Sequence, residues 1–302
     1  MPFFSIIIPT YNRAEELKLS ITSVLKQVYD DFELLIVDDG STDNTADVVK
    51  GFSDTRISYI FQPNSERSSA RNNGMRHAKG EYVCLLDCGD EFYPSHLSVF
   101  HKQILKDGNP VAIYKSMMKY EDGSRPDDLS YAYKGTSKED AIRYVWSNGS
   151  QLICLCFHSS IGRKVAFPEK YFWFEDIHWL IRVVMAYPLK QIMAQTTRYL
   201  NADNSYLLKT NYNRYLDNCE ACIRDLESTH GDALKAILGR RCFDVKIAEL
   251  YLGFMVGGAI KTRQLALARI YLRKAITTAV TPRLLLKYIY YSMKLLRAVL
   301  PV

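Results

Sequence analysis

A chain of 302 residues exceeds one typical domain, so one large domain with an accessory region is expected. The formal net charge of +6 is unevenly placed: residues 250–302 hold nine Lys/Arg and no Asp/Glu, which leaves −3 on residues 1–249. A uniformly basic nucleic-acid binder would not divide this way, whereas a mildly acidic body with one cationic end suits an anionic phospholipid surface.

Phe4 to Ile8 is a continuous apolar run of the kind a buried parallel strand needs, and Pro9-Thr10-Tyr11-Asn12 ends it. Leu17, Ile21, Val24, Leu25 and Val28 then recur at helical spacing. A second strand spans 32–37 and closes on Asp38-Asp39-Gly40-Ser41. A helix is predicted over 42–52, with Ser41 or Asp43 available as its cap. Further elements follow as a strand over 57–61, a helix over 67–78, a strand over 82–86 and a helix after Pro94 marked by Leu97, Phe100 and Ile104. This rhythm argues a parallel sheet with right-handed crossovers.

Beyond it, 111–118 reads as a fifth strand, 121–135 as a polar loop and 138–146 as a helix. Residues 151–158 are strand-like. A helical stripe of Ile177, Leu180, Ile181 and Val184 follows Glu175-Asp176, and 191–199 is one more strand. From Asn211 onward the pattern is helical, with breaks near Gly257-Gly258 and Thr281-Pro282. Seven cysteines sit in apolar or helical stretches and no leader precedes the first strand, so reduced thiols in the cytosol are expected. Cys219-x-x-Cys222 has no second pair of matching spacing, and two thiols on one helix is the simpler reading. No apolar run reaches the ~18 residues of a membrane span.

Chemistry concentrates where strands end. Asp38 and Asp39 end the second strand, Asp87 and Asp90 the fourth, and with Pro9 and Tyr11 they fall on one sheet edge, where open α/β sheets bind ligands. Asp-Asp-Gly-Ser alone also composes an ordinary turn and cap. Taken together, Tyr11 can stack on a nucleobase, a carboxylate can accept from a ring N–H, and Asp87 with Asp90 can hold a hard cation that in turn holds a diphosphate. Arg67 and Arg71 share a helix face near its N-terminus, a ready diphosphate site, with Arg71 the better candidate and Arg67 read as a solvated surface residue. Glu175 and Asp176, flanked by Trp173, Phe174 and Trp179, answer a helix dipole or provide a general base in an aromatic sugar pocket. The histidines have no metal-ligand spacing, and neither a Walker loop, a Gly-x-Ser-x-Gly elbow nor a dinucleotide fingerprint is present. In the tail, Arg283, Lys287, Lys294 and Arg297 fall within an arc of about 80° of one helix, an interfacial pattern that a helical hairpin docked on the body of the protein would also produce.

Five stretches, Ser5 to Arg13, Val37 to Asp43, Ala70 to Gly74, Leu86 to Asp90 and Glu175-Asp176, come in the order and spacing of family-2 glycosyltransferases, and residues 3–205 resemble that family. The resemblance implies the GT-A fold: α/β, Rossmann-like, with a mostly parallel central sheet flanked by helices. It implies inverting transfer from a nucleotide-diphosphate sugar with Mn²⁺ or Mg²⁺. Carried over, Pro9, Tyr11, Asp39, Arg71 and Asp87 would bind the nucleotide, commonly a uridine one. Asp87 and Asp90 would hold the metal, Asp176 would be the base, and Trp173, Glu175 and Trp179 would line the acceptor pocket.

Gly89 stands where relatives usually carry the second acid of Asp-x-Asp-Asp, so either Asp90 takes over as a ligand or the metal is held more weakly. Ser65 and Glu66 replace glycines common in relatives, and no histidine stands near Tyr199 to Ser205. No Gln-x-x-Arg-Trp is present, which points to a non-processive enzyme. The expectation is therefore a GT-A domain over 1–205 (nucleotide-binding half about 1–118, acceptor half about 119–205) and an all-helical C-terminal extension over 206–302. It would move sugar from a UDP-sugar to a glycan or lipid-linked glycan acceptor in surface-polysaccharide synthesis. Its place would be the cytoplasmic face of the inner membrane, with an anionic membrane surface as partner of the C-terminal helix and no nucleic acid. The rivals are a non-catalytic nucleotide- or glycan-binding relative and a sugar-nucleotide pyrophosphorylase.

Overall fold

Strand β1 (Phe4–Thr10) is the axis of the first unit, because its apolar run is buried on both faces. It pairs in parallel with β2 (Phe32–Asp38) on one side and β4 (Tyr82–Leu85) on the other, so Ile7 lies opposite both Leu35 and Leu85. β3 (Ile57–Phe61) adds in parallel outside β2. The computed structural model describes residues 1–120, 132–200, 212–256, 259–260 and 264–299, in two compact units, Met1–Ala202 and Asp203–Val302.

The sheet continues past β4 through β7 (Leu155–His158), β6 (Ile113–Tyr120), β8 (Leu189–Tyr199) and the short β5 (Glu91–Phe92). Here direction mixes: β7 is antiparallel to β4 and β6, β8 is parallel to β6, and β5 is antiparallel to β8. Helices α1 (Ala14–Leu25) and α4 (His96–Lys106) cover one face through Leu17, Ile21, Val24, Leu97, Phe100 and Ile104. Between β2 and β3 lies α2 (Thr45–Lys50), and α3 (Glu66–His77) follows β3 and packs on β1 and β2. The remaining helices are α5 (Lys138–Asn148), α6 (Ser159–Lys164) and α7 (Glu175–Ala186).

Several elements differ from the sequence reading for local reasons. α2 is shorter than 42–52 because Thr42 and Asp43 are tied to the loop after β1: Thr42 N–H donates to Asn12 Oδ1 at 2.7 Å. Asp43 accepts from Thr45 N–H with one carboxylate oxygen and from Ala14 N–H, the first residue of α1, with the other. β7 begins at Leu155, since Gln151 takes a left-handed φ of 46° and Leu152–Cys154 form a 3₁₀ turn. The antiparallel β7 and β5 leave the sheet mostly parallel, as expected. β5 and α6 are too short to leave a periodic signal. The reading of 121–131, the 201–205 stretch and the Gly257-Gly258 break lie outside the described residues.

The second unit is helical throughout its described residues: α8 (Tyr212–Leu238), α9 (Cys242–Leu250), a π turn (Tyr251–Val256), α10 (Leu265–Thr278) and α11 (Pro282–Val299). Cys219 and Cys222 are buried in its core with Ile223, Leu226, Phe243 and Ile247. The break at Thr281-Pro282 separates α10 from α11, and Thr281 Oγ1 accepts from Leu284 N–H at 3.2 Å. Among the described residues, no helix is long and apolar enough to cross a membrane.

Candidate active site

Parallel pairing fixes where the acids emerge. Thr10 at the end of β1 is in register with Asp38, Asp39 N–H donates to Thr10 O at 2.9 Å, and Leu86 N–H donates to Ile7 O at 3.0 Å. The loops after β1, β2 and β4 therefore leave the sheet at one carboxyl edge, and Asp38, Asp39, Asp87 and Asp90 all lie on it. Tyr11 is 48% exposed there and Pro9 is half-buried.

Asp38 is committed to structure: its oxygens accept from Ser41 N–H at 2.8 Å and from the Tyr59 hydroxyl at 2.5 Å. Asp39 is buried, and that burial raises its carboxyl above the ordinary value despite bonds from Ser65 N–H at 2.9 Å and Gln62 Nε2 at 2.7 Å. Gly40 makes the turn possible, since at φ 85° a Cβ would stand 2.7 Å from Asn64 N.

The loop Asp87 to Asp90 closes by Asp90 N–H donating to Asp87 O at 3.0 Å. Ser20 of α1 pins it: its hydroxyl accepts from Gly89 N–H at 2.9 Å and donates to Asp90 O at 2.8 Å. Gly89 has φ 101°, a backbone conformation that strains any L side chain, and a Cβ there would meet the movable end of Arg13, Nη2, at 2.9 Å, so it is the backbone that favours glycine over an acid at this position. Burial, and then the charge of Asp87, push the Asp90 carboxyl up to about 7. Burial also drives the Cys88 thiol up to about 11, which keeps thiolate out of the loop. The donor set is thus two carboxylates, the chemistry a hard divalent ion takes. One oxygen of each accepts a protein hydrogen bond (Asp87 from Arg71, Asp90 from Leu200 N–H), and among the described residues the second oxygen of each has none. No group of three acid, His or Cys side chains able to hold a metal exists among the described residues, so most of a metal's ligands would come from substrate and water.

Arg71 joins this loop to α7. It is 3% exposed, with Nη2 2.8 Å from Asp87 Oδ1 and Nη1 3.3 Å from Glu175 Oε1, while its buried Nε has no hydrogen-bond partner among the described residues. Burial opposes the Arg71 charge, but Asp87 and Glu175 more than offset it. Desolvation likewise works against Asp87, yet Arg71, backed by Arg67 and Arg13, holds its carboxyl below the usual range. For Glu175 burial wins and its carboxyl is raised, even with Arg67 Nε at 3.6 Å.

These contacts revise part of the sequence reading. Arg71 has both terminal nitrogens engaged by protein carboxylates, so it braces Asp87 against Glu175 at the position where the sequence reading expected a nucleotide contact. Arg67, read as a surface residue, reaches Glu175. Glu175 is buried in the ion pair and offers no open carboxylate to an acceptor. Trp179 is fully buried, stacked on Phe167 with centroids 4.4 Å apart, its indole N–H donating to Val165 O at 2.7 Å, so it presents no face to a sugar. Trp173 and Asp176 are half-buried. Asp176 Oδ2 accepts from the Ser150 hydroxyl, a partner the sequence reading missed; the Gly149-Ser150 turn after α5 was its only signal. Among the described residues, four of the five non-glycine residues with positive φ flank these groups: Asn12, Glu66, Gln151 next to Ser150, and Phe174 before Glu175. Such backbone strain collects at sites where geometry is held for function.

A mostly parallel α/β sheet with acids gathered at its carboxyl edge defines the class of ligand-binding α/β protein built on that edge. The particular family follows from comparison: the model of "Glycosyl transferase family 2" matches residues 5–167, over half the chain, and the chain belongs to that family. A curated relative is the UDP-Glc:alpha-D-GlcNAc-diphosphoundecaprenol beta-1,3-glucosyltransferase WfgD of Escherichia coli, 39% identical over 103 residues, 34% of this chain and 41% of that protein. Glycosyltransferase GlyA of Streptococcus pneumoniae serotype 4 is 34% identical over 111 residues, 36% of this chain and only 16% of that protein. The chain thus spans less than half of either relative. S. aureus TarS 1-349, solved in complex with UDP-GlcNAc, is structurally similar with a TM-score of 0.64 at 18% identity, covering 99% of this chain and 82% of that one. The mannosyltransferase PcManGT of Pyrobaculum calidifontis, solved with GDP-Man and Mn2+, gives a TM-score of 0.58 at 17% identity, covering 98% and 86%. These neighbours establish the GT-A fold with its helical C-terminal region.

Proposed function

We propose that this protein is an inverting, non-processive glycosyltransferase that moves a sugar from a UDP-sugar to a glycan or lipid-linked glycan acceptor in surface-polysaccharide synthesis. The observation that carries this reading is the convergence on one edge of Tyr11, Asp39 and the Asp87 to Asp90 loop, with Arg71 linking that loop to the helix that bears Asp176. WfgD, named for a UDP-Glc donor and a diphosphoundecaprenol acceptor, and TarS, solved with UDP-GlcNAc, support the donor and acceptor classes. The reading places the protein at the cytoplasmic face of the membrane.

Tyr11 stacks on the base and Asp39 accepts its ring N–H. Asp87 and Asp90 are the residues that would hold Mn²⁺ or Mg²⁺, which when bound supplies positive charge to the departing diphosphate. Asp176 takes the proton of the acceptor hydroxyl as that oxygen attacks the anomeric carbon from the face opposite the diphosphate. The Ser150 hydroxyl fixes the carboxylate in place, and Trp173 is the aromatic left to face the acceptor.

The test is transfer or hydrolysis of UDP-sugars with Mn²⁺ present. Asp176→Asn should lower turnover by roughly 10²–10⁴-fold while leaving UDP binding intact. A chain that binds UDP but shows no turnover affected by this change is a binding relative of the enzyme, and one that binds no nucleotide sugar at all defeats the reading.

A further inference from the structure

Helix α11 is divided into three sectors. Leu284, Tyr288 and Leu295 are buried and anchor it to the second unit, with the Tyr288 hydroxyl donating to Ala275 O at 2.8 Å. Leu285, Leu286, Ile289, Tyr290, Met293 and Leu296 are all exposed, Leu286 by 71% and Leu296 by 65%. At 100° per residue these six fill a continuous arc of about 140°. Arg297 falls within this arc, between Leu286 and Tyr290, and Arg283, Lys294 and Lys287 stand beside it, with Lys294 Nζ 5.7 Å from the Tyr290 ring centre and Lys287 paired with Glu249 at 3.0 Å.

A helix whose polar side simply meets water puts charge, not hydrocarbon, opposite its buried stripe. Here the outward side is six large apolar or aromatic groups, and exposed patches of that kind mark interaction surfaces. The charge pattern selects the occupant. Residues 250–302 contain nine Lys/Arg and no Asp/Glu, so a second copy seated symmetrically on this face would bring cations against cations. An anionic bilayer satisfies both sectors, and α11 does not qualify as a membrane-spanning helix.

We propose that α11 docks in the plane of an anionic phospholipid membrane, with its leucine-rich sector at the headgroup–acyl boundary and Arg283, Lys294 and Arg297 on the lipid phosphates. This deepens the membrane placement in the reading above and is independent of the transfer chemistry.

The experiment is co-sedimentation of the full chain with vesicles of phosphatidylcholine alone or with about 30% phosphatidylglycerol, at low and high salt. The wild-type protein is expected to pellet with the anionic vesicles and to be released by salt. Replacing Arg283, Lys294 and Arg297 together by Gln should lower that partition roughly 100-fold, at about five-fold per cation. Leu286→Glu with Leu296→Glu should abolish it on either vesicle while the melting temperature, read by circular dichroism, stays put, because both side chains point outward. Absence of pelleting with anionic vesicles, or pelleting that neither variant changes, overturns the proposal. So does a solution dimer that the Leu→Glu pair converts to monomer without any lipid binding, since the face then joins two copies. If vesicles bind but no UDP-sugar is turned over, the docking stands and the transferase reading falls.

Discussion

Arg71 Nη2 sits 2.8 Å from Asp87 Oδ1, and the other terminal nitrogen of the same guanidinium reaches Glu175, so one buried cation spans the Asp87 to Asp90 loop and the start of α7. Removing one partner of a buried ion pair leaves its counter-charge stranded, which costs about 3–5 kcal/mol. Glu175 carries most of that cost; the Asp87 side chain is 43% exposed and water screens its share. Arg71→Ala should therefore lower unfolding free energy in urea by about that amount, with Arg71→Lys in between because a point charge cannot replace the fork. Adding Glu175→Gln to Arg71→Ala should recover part of the loss by removing the stranded charge. An Arg71→Ala midpoint equal to wild type would show that the bridge contributes nothing.

The contact between Ser150 and Asp176 is the next most informative. A hydrogen bond to a charged group is worth about 1.5–3 kcal/mol, so losing it from the proposed base, which must hold one orientation, should cost roughly ten-fold or more in turnover. Ser150→Ala is expected to reduce kcat and leave UDP affinity unchanged, with a lowered melting temperature from loss of the same bond. An unaltered kcat would mean that Asp176 needs no such support.

Gly89→Ala tests whether the glycine is a matter of backbone rather than of missing charge. At φ 101° any L side chain is strained, and the added Cβ would press on Arg13 Nη2 at 2.9 Å. Strain of this kind costs about 1–3 kcal/mol. Arg13→Ala in the same protein should relieve the contact but not the torsion, so only part of the loss in melting temperature should return. Full recovery would locate the whole effect in Arg13.

The frame of the site was legible in the sequence because period and register are local. A buried run such as Ile6 to Ile8, and acids placed just after strands, put Asp39 and Asp87 on one edge whatever the loops do. What a side chain faces was not legible. Trp179 and Trp173 lie on either side of Glu175-Asp176 in a stretch rich in aromatic rings, yet the packing of Phe157 and Phe167 buries Trp179. Arg71 reads as a phosphate ligand at a helix N-terminus until Glu175, 104 residues away, is seen to close over it. The Ser150 contact likewise depends on an ordinary turn residue and a pairing over 26 residues.

Asp43 ties two helices to one carboxylate, and its ionisation should show in stability. Partial burial opposes the charge, but bonds from Thr45 and Ala14 outweigh it and hold the carboxyl below its usual 3.8. A depressed carboxyl contributes stability above the unfolded-state value and loses it as pH falls through the folded one. Asp43→Ala should therefore cost about 1 kcal/mol at neutral pH, as loss of a helix cap does. That deficit should narrow as the medium is acidified below 3.8, and a deficit that is flat with pH would assign the effect to packing alone.

Tyr11 and Trp179 were both expected to touch substrate, and their burial now separates them. Tyr11 is 48% exposed at the carboxyl edge, and stacking of an aromatic side chain on a base is worth about 1–3 kcal/mol. Tyr11→Ala should raise the UDP-sugar KM about ten-fold with the melting temperature unchanged, because no core contact is lost. Trp179→Ala removes a fully buried ring and should destabilise by about 3–5 kcal/mol. Its activity should fall only as the folded fraction falls, with KM for donor and acceptor held. If Tyr11→Ala melted early at unchanged KM, the tyrosine would be a packing residue, and the base would have to be read by another group on that edge.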